Sequence, residues 1–286
     1  MTGPRIAIAT CAHYPASETD DDRLREALRE RGADAVPAVW DEEGVDWSGF
    51  DICLVRSTWD YHEKHGRFLD WTRAVEAVTA LRNPAATIAW NSNKTYLRKL
   101  GEQGVRTVPT AWVGRGAEAD LEAVLAERGW DRAVVKPVVD LGARNLRRVQ
   151  RGEGSTALAA VLRHHDAMVQ PFLPSLESQG ELSLIFIAGK FSHAVRKRPA
   201  KGDFRVQSLW GGTVEAAEAD APQMELAEQA LTQLDEAPLY ARVDLVIGLD
   251  SEPCLIELEL IEPNLYLDTD PNAAARVAKA VLSELH

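Results

Sequence analysis

The sequence predicts an α/β protein of several small lobes. Three observations carry this. Apolar strand-like runs alternate with helical periodicities through the first third, the last third is richer in strands, and 286 residues suit two or three lobes better than one core. IAIATC (6–11) is a short apolar run and reads as a buried strand. DDDRLREALRERG follows, with acids at its start, Leu24, Ala27 and Leu28 at helical spacing, and Gly32 at its end. AVPAVW (35–40) and DICLVRS (51–57) are further strands, and HGRFLDWTRAVEAV (65–78) is a second helix. Such alternation argues a small parallel sheet with helices on its faces. The first lobe is placed at residues 1–90, closed by the NPAATIAWN segment.

A second lobe, 91–169, opens with the helix NKTYLRKLGEQG, followed by a strand (VPTAWV), a helix (ADLEAVLAERG), and the strands AVVKPVV and MVQPF. In the third lobe, 170–286, ELSLIFIAGKFSHAV reads as a hairpin turning at Ala188-Gly189-Lys190. PQMELAEQALTQL is a helix, LYARVDLVIG and PCLIELEL pair as strands across GLDSEP, and PNAAARVAKAVLSEL is a closing helix.

Composition narrows the function. A net charge of −12 without a long Lys/Arg cluster argues against a nucleic-acid partner. No apolar stretch approaches the roughly 20 residues of a membrane span, and no signal-peptide core is evident, so a cytoplasmic protein without a membrane partner is expected. Cys11, Cys53 and Cys254 show neither disulfide nor zinc spacing and read as buried thiols.

Chemistry concentrates in two sets of residues. Alternation puts Arg242 and Asp244 on one face of ARVDLV, and Glu257 and Glu259 on one face of LIELEL. Three carboxylates converging in apolar strands are costly uncompensated, and oxygen-only ligands suit magnesium. The second set is cationic. Lys136 interrupts an apolar strand, Lys94 stands at a helix start, and RKRPAKGDFRV supplies Lys197 and Arg205. No GxxxxGK or GxGxxG is present, so phosphates would be held by side chains and a flexible loop. Arg56, Ser57 and Thr58 follow a buried strand at the carboxyl edge where open α/β sheets bind ligands, and with Asp268 they are candidate substrate-binding residues. The Asp20–Asp22 run is either an ammonium site or helix capping. Trp59 and Tyr61 read as packing residues, and His193 as site-facing or structural.

Lys94, Lys136, QPFL (170–173), Glu181, Arg242-x-Asp244 and Glu257-x-Glu259 resemble, in that order, the motif set of the ATP-grasp ligases across residues 90–265. The resemblance implies an ATP-grasp fold, with a Rossmann-like N-terminal α/β lobe and two nucleotide-clamping lobes. It implies Lys94 and Lys136 on phosphates, Gln170, Phe172 and Leu173 at adenine, and Glu177 or Glu181 at ribose. It also implies Asp244, Glu257 and Glu259 on two magnesium ions, and Arg242, with Lys197 and Arg205, as catalytic cations. Glu259 stands where the family usually carries Asn. VRSTWDY, FSHAVRK, GDFRVQ and LIELELIEP followed by LYLDT are similar to the subgroup that closes O-ureido-D-serine to D-cycloserine in antibiotic biosynthesis. That implies a small amino-acid-like substrate whose carboxylate is activated as an acyl phosphate for attack by an amine of the same molecule. An intermolecular ligase resembling glutathione synthetase and a nucleotide-binding module without turnover stay open beside it. A homodimer is a candidate assembly, which the sequence does not decide.

Overall fold

A computed structural model describes residues 3–13, 20–143 and 145–285. Strand β1 (Arg5–Thr10), helix α1 (Asp20–Arg29), β2 (Asp34–Val39), β3 (Ile52–Ser57), α2 (His65–Glu76) and β4 (Ala80–Arg82) build a four-stranded parallel sheet in the order β2-β1-β3-β4. Both faces are covered, as a parallel sheet requires. Ile6 and Ile8 join the core under α1, while Ala7 and Ala9 face the aromatic cluster of Trp40, Phe68 and Tyr61. NPAATIAWN is itself helical: Pro84 leads into α3 (Ala85–Asn91), whose Ile88 is buried.

The middle of the chain runs through α4 (Tyr96–Glu102), β5 (Ala111–Val113), α5 (Leu121–Arg128), β6 (Arg132–Pro137), β7 (Arg147–Gln150), α6 (Ala157–Leu162) and β8 (Ala167–Pro171). Its four strands form a second sheet in the order β5-β8-β6-β7, all antiparallel. The remaining elements are α7 (Ser175–Ser178), β9 (Glu181–Ile187), β10 (Lys190–Arg198), β11 (Thr213–Ala217), α8 (Ala221–Leu231), β12 (Tyr240–Ile247), β13 (Pro253–Glu259) and α9 (Ala273–Ser283). Their strands form a five-stranded antiparallel sheet, β11-β10-β9-β12-β13. The β9–β10 turn has Ala188 and Gly189 at φ 47° and 72°, as a two-residue turn matched to the strand twist demands.

One face of this third sheet is apolar. Leu182, Leu184, Val243, Leu245 and Leu258 pack with α8 and α4. Alternation therefore sends Glu181, Ser183, Arg242, Asp244, Glu257 and Glu259 to the opposite face. Asp244 lies opposite Glu257 and Arg242 opposite Glu259. A register shift after Asp244 inserts Ile256 as an extra residue, and both Ile256 and Glu257 then line the same cavity.

Among the described residues no sixth strand pairs with the outer edge of β13. Segment 106–108 bonds Leu255 instead, Tyr96 Oη exchanges hydrogen bonds with the Leu258 backbone, and Asn91 bridges Leu258 and Leu260. Asn83, fully buried after β4, donates to the Tyr240 and Leu260 carbonyls and accepts from the Leu239 N–H. These side chains clamp the first lobe to the carboxylate-bearing strands, and α9 packs back on α1 through Val277 and Val281. Asn83→Ala removes the partners of three buried backbone groups. At about 1–3 kcal/mol per orphaned group, with some relaxation, the expected loss is roughly 2–4 kcal/mol. Thermal denaturation should show a melting temperature lower by roughly 5–10 °C, and a variant melting with the parent would contradict the clamp.

Candidate active site

A cavity of about 550 Å³ opens between the second and third sheets and reaches the first lobe at Trp59. One end is apolar, walled by Val108, Val134, Leu173, Leu176 and Ile256. The middle carries the charges: Lys94, Lys136, Glu181, Lys197, Arg242, Asp244, Glu257 and Glu259. Trp59, Glu262, Asn264 and Tyr266 also line it, with Asn264 and Tyr266 beside Arg242.

Asp244 is the most enclosed of the acids. It accepts from Ser183 Oγ at 2.5 Å, from Arg242 Nε and Nη2 at 2.9 Å each, and from Lys197 Nζ at 3.2 Å. Burial pushes its carboxyl up, but Arg242 and Lys197 outweigh that and hold it below the usual carboxylate range. Burial also works against the Lys197 ammonium, and Asp244 and Glu181 overcome it, so both ions stay charged. Arg242 also pairs with Glu259 and donates to the Asn264 carbonyl. Burial raises the Glu259 carboxyl to about 7, against the pull of Arg242 and with Glu257 and Asp244 adding to it. Glu257 pairs with Lys94 at 3.0 Å.

Among the described residues, oxygens of Asp244, Glu257 and Glu259 all lie within 4.8 Å of one another. Glu257 and Glu259 keep 28% and 22% of their side-chain surface exposed although charged groups surround them. An oxygen-only, trebly acidic cluster with open positions fits magnesium, and a divalent cation relieves the crowding that raises Glu259. Lys136 differs from the other cations. It is 8% exposed, lines the cavity, and makes no hydrogen bond or ion pair among the described residues. Burial lowers its pKa, with Glu257 opposing and Lys94 assisting.

Two loops meet beside these charges. Trp210 donates from Nε1 to the Gly142 carbonyl at 2.9 Å, and Arg205 stacks on the Trp210 ring at 3.5 Å while pairing with Asp203. Arg205, Phe204 and Gly142 all face the cavity. Gln170 lines it too, with its amide tied to Thr110.

Several expected residues lie elsewhere. Glu177 is exposed and pairs with Arg148 at 3.5 Å outside the cavity, whereas Glu181 lines it. The Phe172 ring is turned away, against Arg132 and Phe204, while its neighbours Pro171 and Leu173 face inward. Arg56, Ser57, Thr58 and Asp268 are not on the cavity wall. Arg56 is 2% exposed, pairs with Asp21 at 3.1 Å and donates to the Pro263 carbonyl at 2.9 Å. A buried guanidinium is drawn to the nearest buried carboxylate, and here that is Asp21 of α1. Ser57 bonds Thr10, Thr58 is fully buried, and Asp268 is exposed on the loop before α9. Asp20 caps a loop rather than waiting for an ammonium, accepting from the Leu265, Tyr266 and Leu267 N–H groups. His193 bonds Ser192 and the Leu265 carbonyl, a structural role, and Tyr61 stacks on Phe68.

Sequence reasoning missed Trp59 as a wall, the Gly142 loop, and the Glu262–Tyr266 segment. Gly142, two residues after Asp140, was the signal for the second, and Glu262, the last acid of LIELELIEP, for the third. If Arg56 braces the first lobe, Arg56→Met strands Asp21 as a lone buried charge and costs roughly 3–5 kcal/mol. Unfolding measurements should show this loss, and a variant of unchanged stability would return Arg56 to the list of ligand-binding residues.

Comparisons with known proteins identify the family and the fold. Residues 6–83 match the family described as D-cycloserine synthetase DcsG, N-terminal domain, and residues 99–268 match the prokaryotic glutathione synthetase ATP-grasp domain. The chain is 34% identical to the cycloserine biosynthesis protein DcsG of Streptomyces lavendulae, over 98% of both chains. A crystal structure of D-cycloserine synthetase DcsG superposes with a TM-score of 0.88 at 32% identity, covering 99% of this chain and 100% of that one. D-alanine–D-alanine ligase from Bacillus anthracis shares the fold, with a TM-score of 0.71 at 13% identity over 99% of this chain and 97% of that one. The chain therefore belongs to the ATP-grasp ligase family, the ADP-forming carboxylate–amine ligases that use ATP and magnesium.

Proposed function

We propose that this enzyme closes a small amino acid of the O-ureido-D-serine type into a D-cycloserine-like ring. The observation that carries its ATP half is Lys136, a buried cation facing the cavity with no hydrogen-bond or ion-pair partner among the described residues, beside three clustered carboxylates. A cation so placed is costly unless an anion arrives, and a nucleotide phosphate is that anion. The substrate half is supported by residues 6–83, which match the DcsG N-terminal domain.

In this reading the adenine lies between Val134 and Ile256, with Gln170 and the Phe172–Leu173 backbone at its edge and Glu181 at the ribose. Lys94 and Lys136 hold phosphate oxygens. Asp244, Glu257 and Glu259 would hold two magnesium ions, which supply neutralisation of the polyphosphate. A substrate carboxylate oxygen takes the γ-phosphoryl group and ADP leaves. Arg242 holds the acyl phosphate. The oxygen-bound nitrogen of the same molecule attacks the acyl carbon and loses its proton, and the C–O bond to phosphate breaks. Water then removes the carbamoyl group from the ring nitrogen as carbamate. Lys197 and Arg205 complete the positive frame. Positioning and fixed charges drive phosphoryl transfer and ring closure, without an acid–base triad. The same reading sets the enzyme in the cytoplasm, where the buried free thiols Cys11, Cys53 and Cys254 stay reduced.

A second reading, joining two separate amino acids, draws on the glutathione synthetase match over residues 99–268. ADP release separates the two. Release with O-ureido-D-serine alone supports cyclisation, whereas release only with paired amino acids supports ligation. Within either reading, Asp244→Asn and Glu257→Gln should reduce ADP formation to background while circular dichroism keeps the parental fold, and near-normal turnover in magnesium would remove the metal assignment. Lys136→Ala should weaken ATP binding about tenfold to a hundredfold, the worth of one charge-assisted contact of about 1.5–3 kcal/mol. An unchanged dissociation constant in calorimetry would refute its phosphate role.

A further inference from the structure

Glu262 lies three residues beyond the last carboxylate of the metal cluster, on the chain that leaves β13 for the first lobe. It is 5% exposed, lines the cavity, and its Oε2 has no hydrogen-bond partner among the described residues. An unpaired buried carboxylate oxygen is among the least favourable groups a fold can hold. Burial drives its pKa well above the carboxylate range, with Glu259 and Glu257 adding to that, and the pull of Lys94 and Arg242 does not overcome it. The other acids of the cavity floor are paired: Asp244 with Arg242 and Lys197, Glu257 with Lys94, Glu181 with Lys197. Glu262 is the exception.

Its location says what compensates it. The apolar wall and the lysines suit a nucleotide, and Glu262 lines the same cavity with Trp59, Asn264 and Tyr266, of which Asn264 and Tyr266 lie beside Arg242. That stretch of wall is built at some cost. Tyr266 has φ 51°, a left-handed backbone rare for an aromatic residue, and Asp20 of the first lobe holds it there through the 265–267 N–H groups. Arg242, the cation at the reacting end, donates to the Asn264 carbonyl, so carboxylate chemistry and the segment carrying Glu262 adjoin. A small amino acid whose carboxylate lies toward Arg242 must put its ammonium close by.

We infer that Glu262 is the specificity residue that receives the α-ammonium of the substrate, restricting the enzyme to free amino acids. The inference rests on the small amino-acid reading above but not on cyclisation. Filling this position with the substrate's cation pairs a carboxylate that is otherwise alone, which explains why an acid is kept at a site that favours a neutral group.

The test is Glu262→Gln in the full chain. It removes the charge and keeps the shape. ATP binding, measured by calorimetry, should stay at the parental value. Binding of O-ureido-D-serine in the presence of a non-hydrolysable ATP analogue should weaken about tenfold to a hundredfold. Preference for the amino acid over its des-amino analogue, large in the parent, should collapse to near unity. The melting temperature should stay close to the parental one, because burial already favours the neutral form of Glu262 in the unliganded protein. Glu262→Asp, with the charge kept, should retain part of the preference. Unchanged amino-acid affinity, retained discrimination against the des-amino analogue, or parallel losses of ATP and amino-acid binding would each overturn the assignment. If the parent binds O-ureido-D-serine but releases no ADP with it alone, the cyclisation reading fails while Glu262 is still judged by the binding ratio. If the parent binds no α-amino acid, both fall.

Discussion

The Asp244 carboxylate sits on the interior face of a five-stranded sheet, with a serine hydroxyl, an arginine and a lysine as its neighbours. Putting an ion there costs several kcal/mol before compensation, and the surroundings follow from meeting that cost. Arg242 and Lys197 cannot be shared with Asp244 alone without excess positive charge, and Glu259 and Glu181 take up the remainder. The result is an alternating lattice of charges across β10, β9, β12 and β13. Its opposite face is apolar across β9, β12 and β13 and packs on α8 and α4. One sheet thus supplies both a core and a polar floor, and the period-two alternation of its strands keeps the two apart.

That floor is useful only if other lobes cover it. Asn83, Asn91 and Tyr96 satisfy the backbone at the open edge and far end of β13, and Asp20 fixes the loop that carries Tyr266. Each reaches from outside the third sheet, so the lobes register through directed hydrogen bonds as well as apolar packing. The second sheet contributes Lys136 and Gln170, and the Trp210–Gly142 contact joins the two loops over the charges. Among the described residues no helix is long and apolar enough to cross a membrane, and Cys11, Cys53 and Cys254 are buried free thiols, with the Cys53 thiol held by burial well above the normal range.

Much of this was legible in the residues. Alternation in ARVDLV and LIELEL placed Arg242, Asp244, Glu257 and Glu259 on one face, and the lysine inside AVVKPVV marked a cation awaiting an anion. Both signals are local, a period and a charge in an apolar run. What was not legible depends on partners far away in the chain. Arg56 looked available because Asp21, its partner, lies 35 residues away. Trp59 looked like packing until the third sheet came to face it. The extra residue Ile256 has no local mark. Strand β7 and helix α6 passed unread because RRVQ and ALAAVL are short, and only neighbouring elements decide their conformation.

The central claim is that the clustered charges transfer a phosphoryl group to a carboxylate. Oxygen isotope transfer tests it most directly. O-ureido-D-serine carrying 18O in both carboxylate oxygens, incubated with ATP, magnesium and the enzyme, should release inorganic phosphate with one 18O per turnover, alongside ADP. Phosphate free of the label, or label recovered in AMP, would contradict an acyl phosphate and the roles given to Arg242, Lys136 and the three carboxylates.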